Sequence, residues 1–305
     1  MASIDIREGF LRGPPRNAIV NRIDFSKTSP PIPKFKDNLA AVIDNFLTET
    51  ECKELLHLAE ESVTPQNSET GPAWERAMIN AGGGRQVMSV DSRKSGRIIL
   101  DSHEISQRLM DRLLPFMRDL GVDRVENQPL VTGLGPARRG DVYLRPRLNE
   151  RLRFLRYEGG DYFRPHWDAC YSTPDQSERS LFTVHLYLSG DGEQNMEELQ
   201  PYLELAEKEF QLVLGTDPDE EKLRESISQR EQASREAANG GSETLLGGAT
   251  SFMDGYNVKD PVRVFPKKGS ILIFQQRNLM HSGDDVFRGV KYTVRSDVMY
   301  SMLKK

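Results

Sequence analysis

Two side chains with the spacing of metal ligands lie in the segment RPHWDACY, residues 164–171. The segment predicts a β-strand, in which alternate side chains share a face, so His166 and Asp168 point one way and Trp167 the other. His281 follows a second predicted strand, SILIF. Two imidazoles and one carboxylate form the facial triad that binds Fe(II) and leaves positions open for oxygen chemistry. An H-x-D pair alone is common, and a strand histidine that bonds to a carbonyl is the simpler alternative.

A cation follows the late histidine at a fixed distance. Lys291 lies ten residues after His281, within a predicted strand of mostly apolar and aromatic residues. A buried ammonium group needs an anionic partner. An H-x-D strand, a late histidine and a cation ten residues later form the layout of Fe(II)/2-oxoglutarate dioxygenases. There, the distal carboxylate of the dicarboxylate cosubstrate needs such a partner.

Several further motifs occur in one order over roughly residues 40–305. With them the sequence resembles the prolyl-4-hydroxylase-like branch of that superfamily. The motifs are AVIDNFLTETEC, NERLRFLRYEGGDYFRPHWDACY, GGATSF, FPKKGSILIF, LMHSG and GVKYTVRSDVMY. The resemblance implies an α+β chain with a double-stranded β-helix (jelly-roll) core, N-terminal supporting helices and a helical insertion.

The resemblance also assigns cofactors and site residues. It implies Fe(II), 2-oxoglutarate and O2, with ascorbate as a further reductant. The iron ligands, which are also the catalytic residues, would be His166, Asp168 and His281. The cosubstrate residues would be Lys291 at the distal carboxylate, Tyr157 in a Tyr-x-x-Gly motif, Tyr187 and Thr250. Both tyrosines lie on predicted strands, where aromatic side chains are commonly core residues.

A second cation, Arg295, shares a predicted strand face with Lys291 and Asp297. Four residues span roughly 13 Å of strand, so one small dicarboxylate does not easily reach both cations at the same end. We expect Arg295 to lie towards the metal and to bind substrate. Two alternatives stay open: an ion pair with Asp297 or Asp168, and a reversal in which Arg295 binds 2-oxoglutarate and Lys291 is auxiliary.

Two further side chains are expected near the pocket from strand alternation alone. Arg164 lies two residues before His166, so we expect it on the same face, at the mouth of the pocket, as a substrate-binding residue. His185 lies two residues before Tyr187 and should face the same interior. A hydrogen-bonded interior histidine is an equal alternative for His185.

The elements that position these residues are readable from periodicity and caps. Residues 1–38 are rich in proline and charge and predict an extended arm before a domain spanning residues 39–305. Thr48 and Glu51 form a capping box at the start of a first helix. A second helix is predicted from Ser102 to about Gly121. From about residue 142, short strands rich in β-branched and aromatic residues indicate an all-β body.

An acidic insertion interrupts the β body at about residues 191–246. Residues 191–239 hold 14 acidic and 5 basic residues. A helix with an apolar face runs through Leu199 and Phe210 and ends at Gly215, and a second, weaker helix runs from about Pro218 to Ala238. The segment is interpreted as a solvated helical hairpin or as a lid over the pocket, and the two interpretations are compatible.

Composition excludes several classes of protein. The chain has 305 residues, 37% of them apolar and 29% charged, which is a globular composition. The net charge of −5 argues mildly against nucleic-acid binding. Apolar runs stay well short of the roughly 18 residues of a membrane span, and the N-terminus lacks the apolar core of a secretory signal. Only two cysteines are present, which favours a cytoplasmic or nuclear location.

The sequence therefore predicts a 2-oxoglutarate/Fe(II)-dependent dioxygenase that hydroxylates an unactivated C–H bond. The substrate is expected to be a prolyl residue in a peptide, or a small molecule such as an amino acid. The alternative is a catalytically inactive jelly-roll module that recognises a protein partner. Zinc is a weaker alternative for the metal, because zinc hydrolases usually use His-rich or thiolate ligands. Nothing in the pattern indicates an oligomeric state.

Overall fold

The computed structural model describes residues 5–63, 73–80, 85–215, 219–239, 244–256 and 261–303. The strands are β1 (Ile19–Arg22), β2 (Ala40–Asp44), β3 (Glu75–Arg76), β4 (Ile79–Asn80), β5 (Gln86–Val87), β6 (Arg93–Lys94), β7 (Gly96–Asp101), β8 (Val125–Glu126), β9 (Val142–Leu148), β10 (Arg151–Glu158), β11 (Tyr162–His166), β12 (Glu178–Tyr187), β13 (Leu246–Gly247), β14 (Thr250–Phe252), β15 (Val262–Val264), β16 (Ile271–Gln275), β17 (His281–Gly283), β18 (Val286–Arg288) and β19 (Val290–Leu303). The α-helices are α1 (Glu49–Val63), α2 (His103–Asp119), α3 (Pro129–Thr132), α4 (Leu134–Arg139), α5 (Met196–Leu214) and α6 (Glu220–Asn239).

Two antiparallel sheets form the core. The major sheet runs in the order β1-β2-β16-β12-β19-β10-β7-β3, and β8 and β9 extend it beside β19. The minor sheet runs in the order β15-β14-β17-β11-β6. From β10 onwards the chain crosses repeatedly between the sheets: β10, β12, β16 and β19 lie in the major sheet, and β11, β14, β15 and β17 lie in the minor sheet, as in a double-stranded β-helix. The predicted jelly-roll core is confirmed.

The N-terminal helices cover the outer face of the major sheet. The backbone amide of Thr48 donates to Glu51 and the amide of Glu51 donates to the Thr48 hydroxyl, so the predicted capping box starts α1. Ser102 caps α2 through the amide of Ile105. Both helices bury their apolar stripes in one cluster with the major sheet. They therefore support the strands that carry the site from behind.

The N-terminal segment packs on the domain. β1 pairs with β2 at the edge of the major sheet. Phe25 and Phe35 are buried and pack edge-to-face, and Phe25 also contacts Phe252 of the minor sheet. Phe25, Ile32 and Phe35 thus join a buried cluster with residues of both sheets. The domain boundary at residues 38 and 39 stays a prediction.

The two predicted helices of the acidic segment are present as α5 and α6, although Pro218, the predicted start of the second, lies outside the described residues. The side chain of Glu209 on α5 accepts from Arg230 on α6. Leu199, Ala206 and Ala237 pack against Leu246 and Phe287 of the β body. Among the described residues, no helix has both the length and the apolarity needed to cross a bilayer.

Candidate metal and cosubstrate site

Three side chains converge at one end of the two sheets. One ligand atom from each of His166, Asp168 and His281 lies within 4.8 Å of the other two. The two histidines are brought together by strand pairing, since His166 at the end of β11 lies opposite His281 at the start of β17. Among the described residues, these three side chains are the group of potential metal ligands whose ligand atoms come this close together.

The two imidazole rings are oriented for metal binding. Nδ1 of His166 lies 2.9 Å from the carbonyl oxygen of Arg164, and Nδ1 of His281 lies 3.2 Å from that of Leu279. A carbonyl only accepts hydrogen bonds, so each Nδ1 carries the hydrogen and each Nε2 keeps a free lone pair. Burial, together with the neighbouring His281, lowers the pKa of His166 to about 3, and burial also lowers the pKa of His281. Both rings are therefore neutral ligands.

Asp168 is held in its ionised form. Burial alone would raise its pKa, but the positive charge of Arg295 brings that pKa well below its usual range. Nη2 of Arg295 lies 2.8 Å from Oδ1 of Asp168, and the hydroxyl of Thr183 donates to Oδ2 at 2.6 Å. Two neutral imidazoles and an ionised carboxylate are a donor set that suits Fe(II). The residues therefore fit the metal that the sequence predicts.

Lys291 lies in the interior behind the three ligands. Its side chain is buried, and Nζ lies 5.2 Å from the ring centroid of Tyr157 and 5.9 Å from that of Tyr187. Among the described residues, none of the acidic groups lies within ion-pair distance of Nζ. Burial lowers the pKa of Lys291 to about 8, against a smaller opposing effect of Asp284. One cavity joins Lys291 to the metal ligands and is lined by Tyr157, His166, His185, Thr250, His281, Lys291, Thr293 and Arg295, among others.

The other cosubstrate candidates lie around the same cavity. The hydroxyl of Tyr187 donates to Oγ1 of Thr250 at 2.7 Å, which ties β12 of the major sheet to β14 of the minor sheet. Gly248 precedes this strand with φ +71°, and a Cβ there would lie 3.2 Å from Cδ of Lys291. The Gly-Gly-x-Thr motif therefore makes room for the lysine side chain. The structure places Lys291, Tyr157, Tyr187 and Thr250 together.

Arg295 is engaged by two acids. Besides Asp168, its Nη2 lies 3.2 Å from Oδ1 of Asp297. Asp297 in turn accepts from Gln276 at 2.9 Å and lies 3.2 Å from Nη1 of Arg153. This geometry corresponds to the ion-pair alternative of the sequence analysis. It places Arg295 next to the metal ligands, away from Lys291.

Arg164 does not line the cavity of His166, and its role at the mouth of the pocket as a substrate-binding residue stays a prediction. The pairing of β11 with β17 contains a β-bulge between Phe163 and His166, which breaks the alternation of side chains. Phe163 therefore stacks on His166, with ring centroids 3.6 Å apart. Arg164 points to the other side, where its guanidinium group lies over the ring of Tyr162 and bonds to Asp285 at 2.7 Å.

Sequence reasoning missed one polar side chain at the site, Thr183, and correctly placed another, His185, in its interior. Thr183 bonds to Asp168, and it could have been found by continuing the alternation back from His185 and Tyr187 along β12. His185 faces the same cavity, and its Nε2 is buried without a hydrogen-bond partner in the described structure. Burial lowers its pKa well below the usual range, so this ring is neutral.

Solved structures to which the chain is similar include three prolyl hydroxylases. The viral collagen prolyl hydroxylase of Paramecium Bursaria Chlorella virus-1, in its 2OG complex, is 16% identical over 85% of this chain and 95% of its own, with a TM-score of 0.43. The Trichoplax adhaerens prolyl hydroxylase, bound to a hypoxia inducible factor peptide fragment, is 14% identical over 88% and 86%, with a TM-score of 0.44. A Pseudomonas putida prolyl-4-hydroxylase is 12% identical over 87% and 94%, with a TM-score of 0.42.

The sequence comparisons complete this picture. No curated protein sequence matches the chain at a significant level. The sequence model of the 2OG-Fe(II) oxygenase superfamily matches residues 152–296, which include the three converging ligands and Lys291. The enzymes of this superfamily use Fe(II), 2-oxoglutarate and O2. The chain therefore carries an oxygenase domain of the 2OG-Fe(II) oxygenase superfamily.

Proposed function

We propose that the protein is a dioxygenase of the prolyl-4-hydroxylase-like branch that hydroxylates an unactivated C–H bond. One observation carries the proposal: the two histidines of a His-Asp-His triad and a buried, unneutralised lysine line the same cavity. A dicarboxylate whose keto-acid end reaches the metal and whose distal carboxylate meets Lys291 satisfies both features. The lysine charge is otherwise a net cost to folding, because burial disfavours the ammonium form.

Each residue has a distinct task in this proposal. His166, Asp168 and His281 hold Fe(II) through two Nε2 atoms and one carboxylate oxygen. Lys291 binds the distal carboxylate of 2-oxoglutarate, and Tyr157, Tyr187 and Thr250 surround that end of the cosubstrate. Arg295 and Thr183 fix the orientation of Asp168, as groups bonded to metal ligands usually do.

When bound, iron, 2-oxoglutarate and O2 supply the oxidising chemistry, and a C–H bond becomes C–OH as the cosubstrate leaves as succinate and CO2. The protein positions the reactants and excludes water. Phe252 and Phe274 are fully buried against His281, with ring centroids 6.3 and 4.7 Å from the imidazole. Phe163 covers His166. This apolar shell keeps the two histidine ligands neutral and shields the reacting centre.

An anaerobic titration with Fe(II) and 2-oxoglutarate tests the proposal. The readout is the weak visible charge-transfer band of a keto acid chelated to ferrous iron. We expect the band in the wild-type protein, its loss in His166→Ala, and a much higher 2-oxoglutarate requirement in Lys291→Ala. His57→Ala, on the surface helix α1, is the matched histidine control and should keep the band. A metal-loaded wild-type protein that shows neither the band nor calorimetric binding of 2-oxoglutarate would contradict the proposal.

The substrate and the surroundings of the pocket belong to the same proposal. A prolyl residue of a peptide or a small molecule is the expected substrate. We propose that the acidic insertion, which packs on the β body beside the minor sheet, shapes the mouth of the pocket. We also propose a cytoplasmic or nuclear location, which two free cysteines favour.

A further inference from the structure

Two buried arginines lie beside the metal ligands on a stretch of chain that the proposed function does not use. Arg93 in β6 and Arg97 in β7 are only 8% and 6% exposed. Ser95 lies between them and accepts from Nε of Arg93 at 3.1 Å. The charge of Arg93 lowers the pKa of Arg97, after the larger effect of burial, so the two groups act on each other electrostatically.

Arg93 lines the cavity of the metal ligands, and Arg97 shares a sheet face with another residue that lines it. Cζ of Arg93 lies 4.5 Å from the ring centroid of Phe163, and Phe163 also stacks on the ring of His166. Arg93 lines the same cavity as His166 and Leu155. Arg97 lies directly opposite Leu155 in the pairing of β7 with β10, and directly paired residues share a sheet face. Arg93 therefore lines the pocket itself, and Arg97 lies on the adjoining sheet face, opposite the pocket residue Leu155.

Neither charge is neutralised by an ion pair within the described residues. Besides its bond to Ser95, Arg93 makes no ion pair or further hydrogen bond there. Arg97 has only Oε1 of Gln86, at 3.4 Å, and its buried Nε has no partner. Glu75 lies opposite Arg97 on β3, but it is exposed and outside bonding distance. Burial of an unpaired charge costs several kcal/mol, on the order of the stability of a small domain, so such an arrangement needs a compensating ligand.

The neighbouring residues leave the positive charge in excess. Arg153 and Arg295 face each other across β10 and β19, and Asp297 bonds to both. Asp297 and Asp168 are thus already engaged by Arg153 and Arg295, and neither carboxylate bonds to Arg93 or Arg97. Asp168 is also the proposed metal ligand, so it is not available to neutralise the arginines fully.

We propose that Arg93 and Arg97 bind an anionic group of the substrate, a carboxylate or a phosphate, beside the metal. The inference rests on the proposed function and refines its substrate class, because it favours an acidic small molecule or an acidic residue over an uncharged prolyl side chain. The planar fork of an arginine side chain matches both anions through paired N–H donors. The substrate C–H bond would then lie between this anchor and the metal.

The test uses small anions as probes of the full-length protein. The protein is loaded with Mn(II) and N-oxalylglycine, an unreactive analogue that fills the cosubstrate site, and is then titrated with acetate, inorganic phosphate or neutral acetamide. Paramagnetic relaxation of the acetate protons and of the phosphate nucleus reports binding close to Mn(II). We expect acetate or phosphate to be relaxed and acetamide not, and the stronger of the two anions identifies the group.

Variants tie this binding to the two arginines. Arg93→Gln and Arg97→Gln should each weaken the anion at least tenfold, while Arg235→Gln, an exposed arginine of α6, should change nothing. Arg93→Lys and Arg97→Lys keep the charge and lose the fork, so a several-fold weakening is expected, and they serve if a glutamine variant fails to fold. Equal relaxation by acetamide, unchanged anion affinity in the variants, or no anion binding to the wild type would overturn the proposal.

Failure of the proposed function gives a different result. Binding of Mn(II) and N-oxalylglycine is followed separately, through water proton relaxation, in every variant. If the wild type does not bind Mn(II) and N-oxalylglycine, the cosubstrate assignment is contradicted. If it binds both but binds no acetate or phosphate, only the arginine site is contradicted. Calorimetric titration of acetate and phosphate into metal-free protein measures anion binding at the arginine site whether or not N-oxalylglycine binds.

Discussion

Nη2 of Arg295 lies 2.8 Å from Oδ1 of Asp168, so the second cation of β19 is bonded to a candidate metal ligand. Lys291, on the same strand face, has no such acid among the described residues. Of the two cations, Lys291 is therefore the one left to meet an incoming carboxylate. Arg295 is better suited to hold Asp168 in place.

Replacement of Lys291 by methionine should separate binding from stability. Loss of the ammonium group should weaken 2-oxoglutarate by at least thirtyfold, as expected when one partner of a buried charge pair is truncated at a cost of about 2 kcal/mol or more. The same variant should be more stable without ligand, by about 2 kcal/mol, because the buried charge is gone. Calorimetry and urea unfolding measure the two effects. Lys53→Met, on the surface of α1, is the control and should change neither.

The affinity for 2-oxoglutarate should depend on pH above about 8. The pKa of Lys291 is lowered by burial to about 8, so the group is charged below that pH and neutral above it. Its neighbours Tyr187 and His185 are neutral, since burial raises the pKa of the tyrosine and lowers that of the histidine. Only Asp284 opposes the shift. We expect constant affinity from pH 6.5 to 7.5 and a fall approaching tenfold per unit above 8, measured calorimetrically. A flat profile to pH 10 in the wild type would contradict this.

Arg295→Gln should weaken metal binding rather than cosubstrate binding. The variant removes the group that lowers the pKa of Asp168 and fixes its carboxylate, and loss of such a partner typically costs tenfold to a hundredfold in metal affinity. The loss should grow as the pH falls, because the unpaired carboxyl takes up a proton more readily. Mn(II) titration at pH 6 and pH 8 measures it. Equal affinities for wild type and variant at both values would show that Arg295 acts elsewhere.

Glu209→Gln should lower the free energy of unfolding, because it removes a buried charge that joins the helical insertion to β11. Glu209 on α5 bonds to Arg230 on α6 and lies 3.7 Å from Arg164 on β11, and all three side chains are buried or nearly so. Loss of one charge leaves two guanidinium groups with Asp285 as their remaining acid, at a cost of about 3 kcal/mol. Urea unfolding measures the change. The exposed Glu204→Gln on the same helix should stay within about 0.5 kcal/mol of the wild type.

Local patterns sufficed for much of the fold. The capping box at Thr48 and Glu51 and the cap at Ser102 involve residues three positions apart, so they can be recognised without knowledge of the fold. The shared face of Lys291 and Arg295 follows from the period of a regular strand. The jelly-roll topology did not follow from periodicity. It came from the resemblance, because strand order depends on contacts between distant segments.

The parts of the site that were missed have a common physical origin. The orientation of Arg164 depends on a β-bulge, and one extra residue in a strand leaves no mark in the alternation of a short sequence. Arg93 and Arg97 lie in a stretch without clear periodicity, and their burial arises only from the pairing of β6 and β7 with β11 and β10. Burial that comes from tertiary contacts is not encoded in the local spacing of charges.

The bulge in β11 makes the length of this strand critical for two separate parts of the protein. Through it, one five-residue strand supplies Phe163 and His166 to the metal pocket and Arg164 to the acids that anchor the insertion. A single-residue deletion here would restore regular alternation and exchange the two sets of side chains. The metal pocket and the attachment of the helical insertion therefore depend on the same strand length, so neither can be changed by lengthening or shortening β11 without disturbing the other.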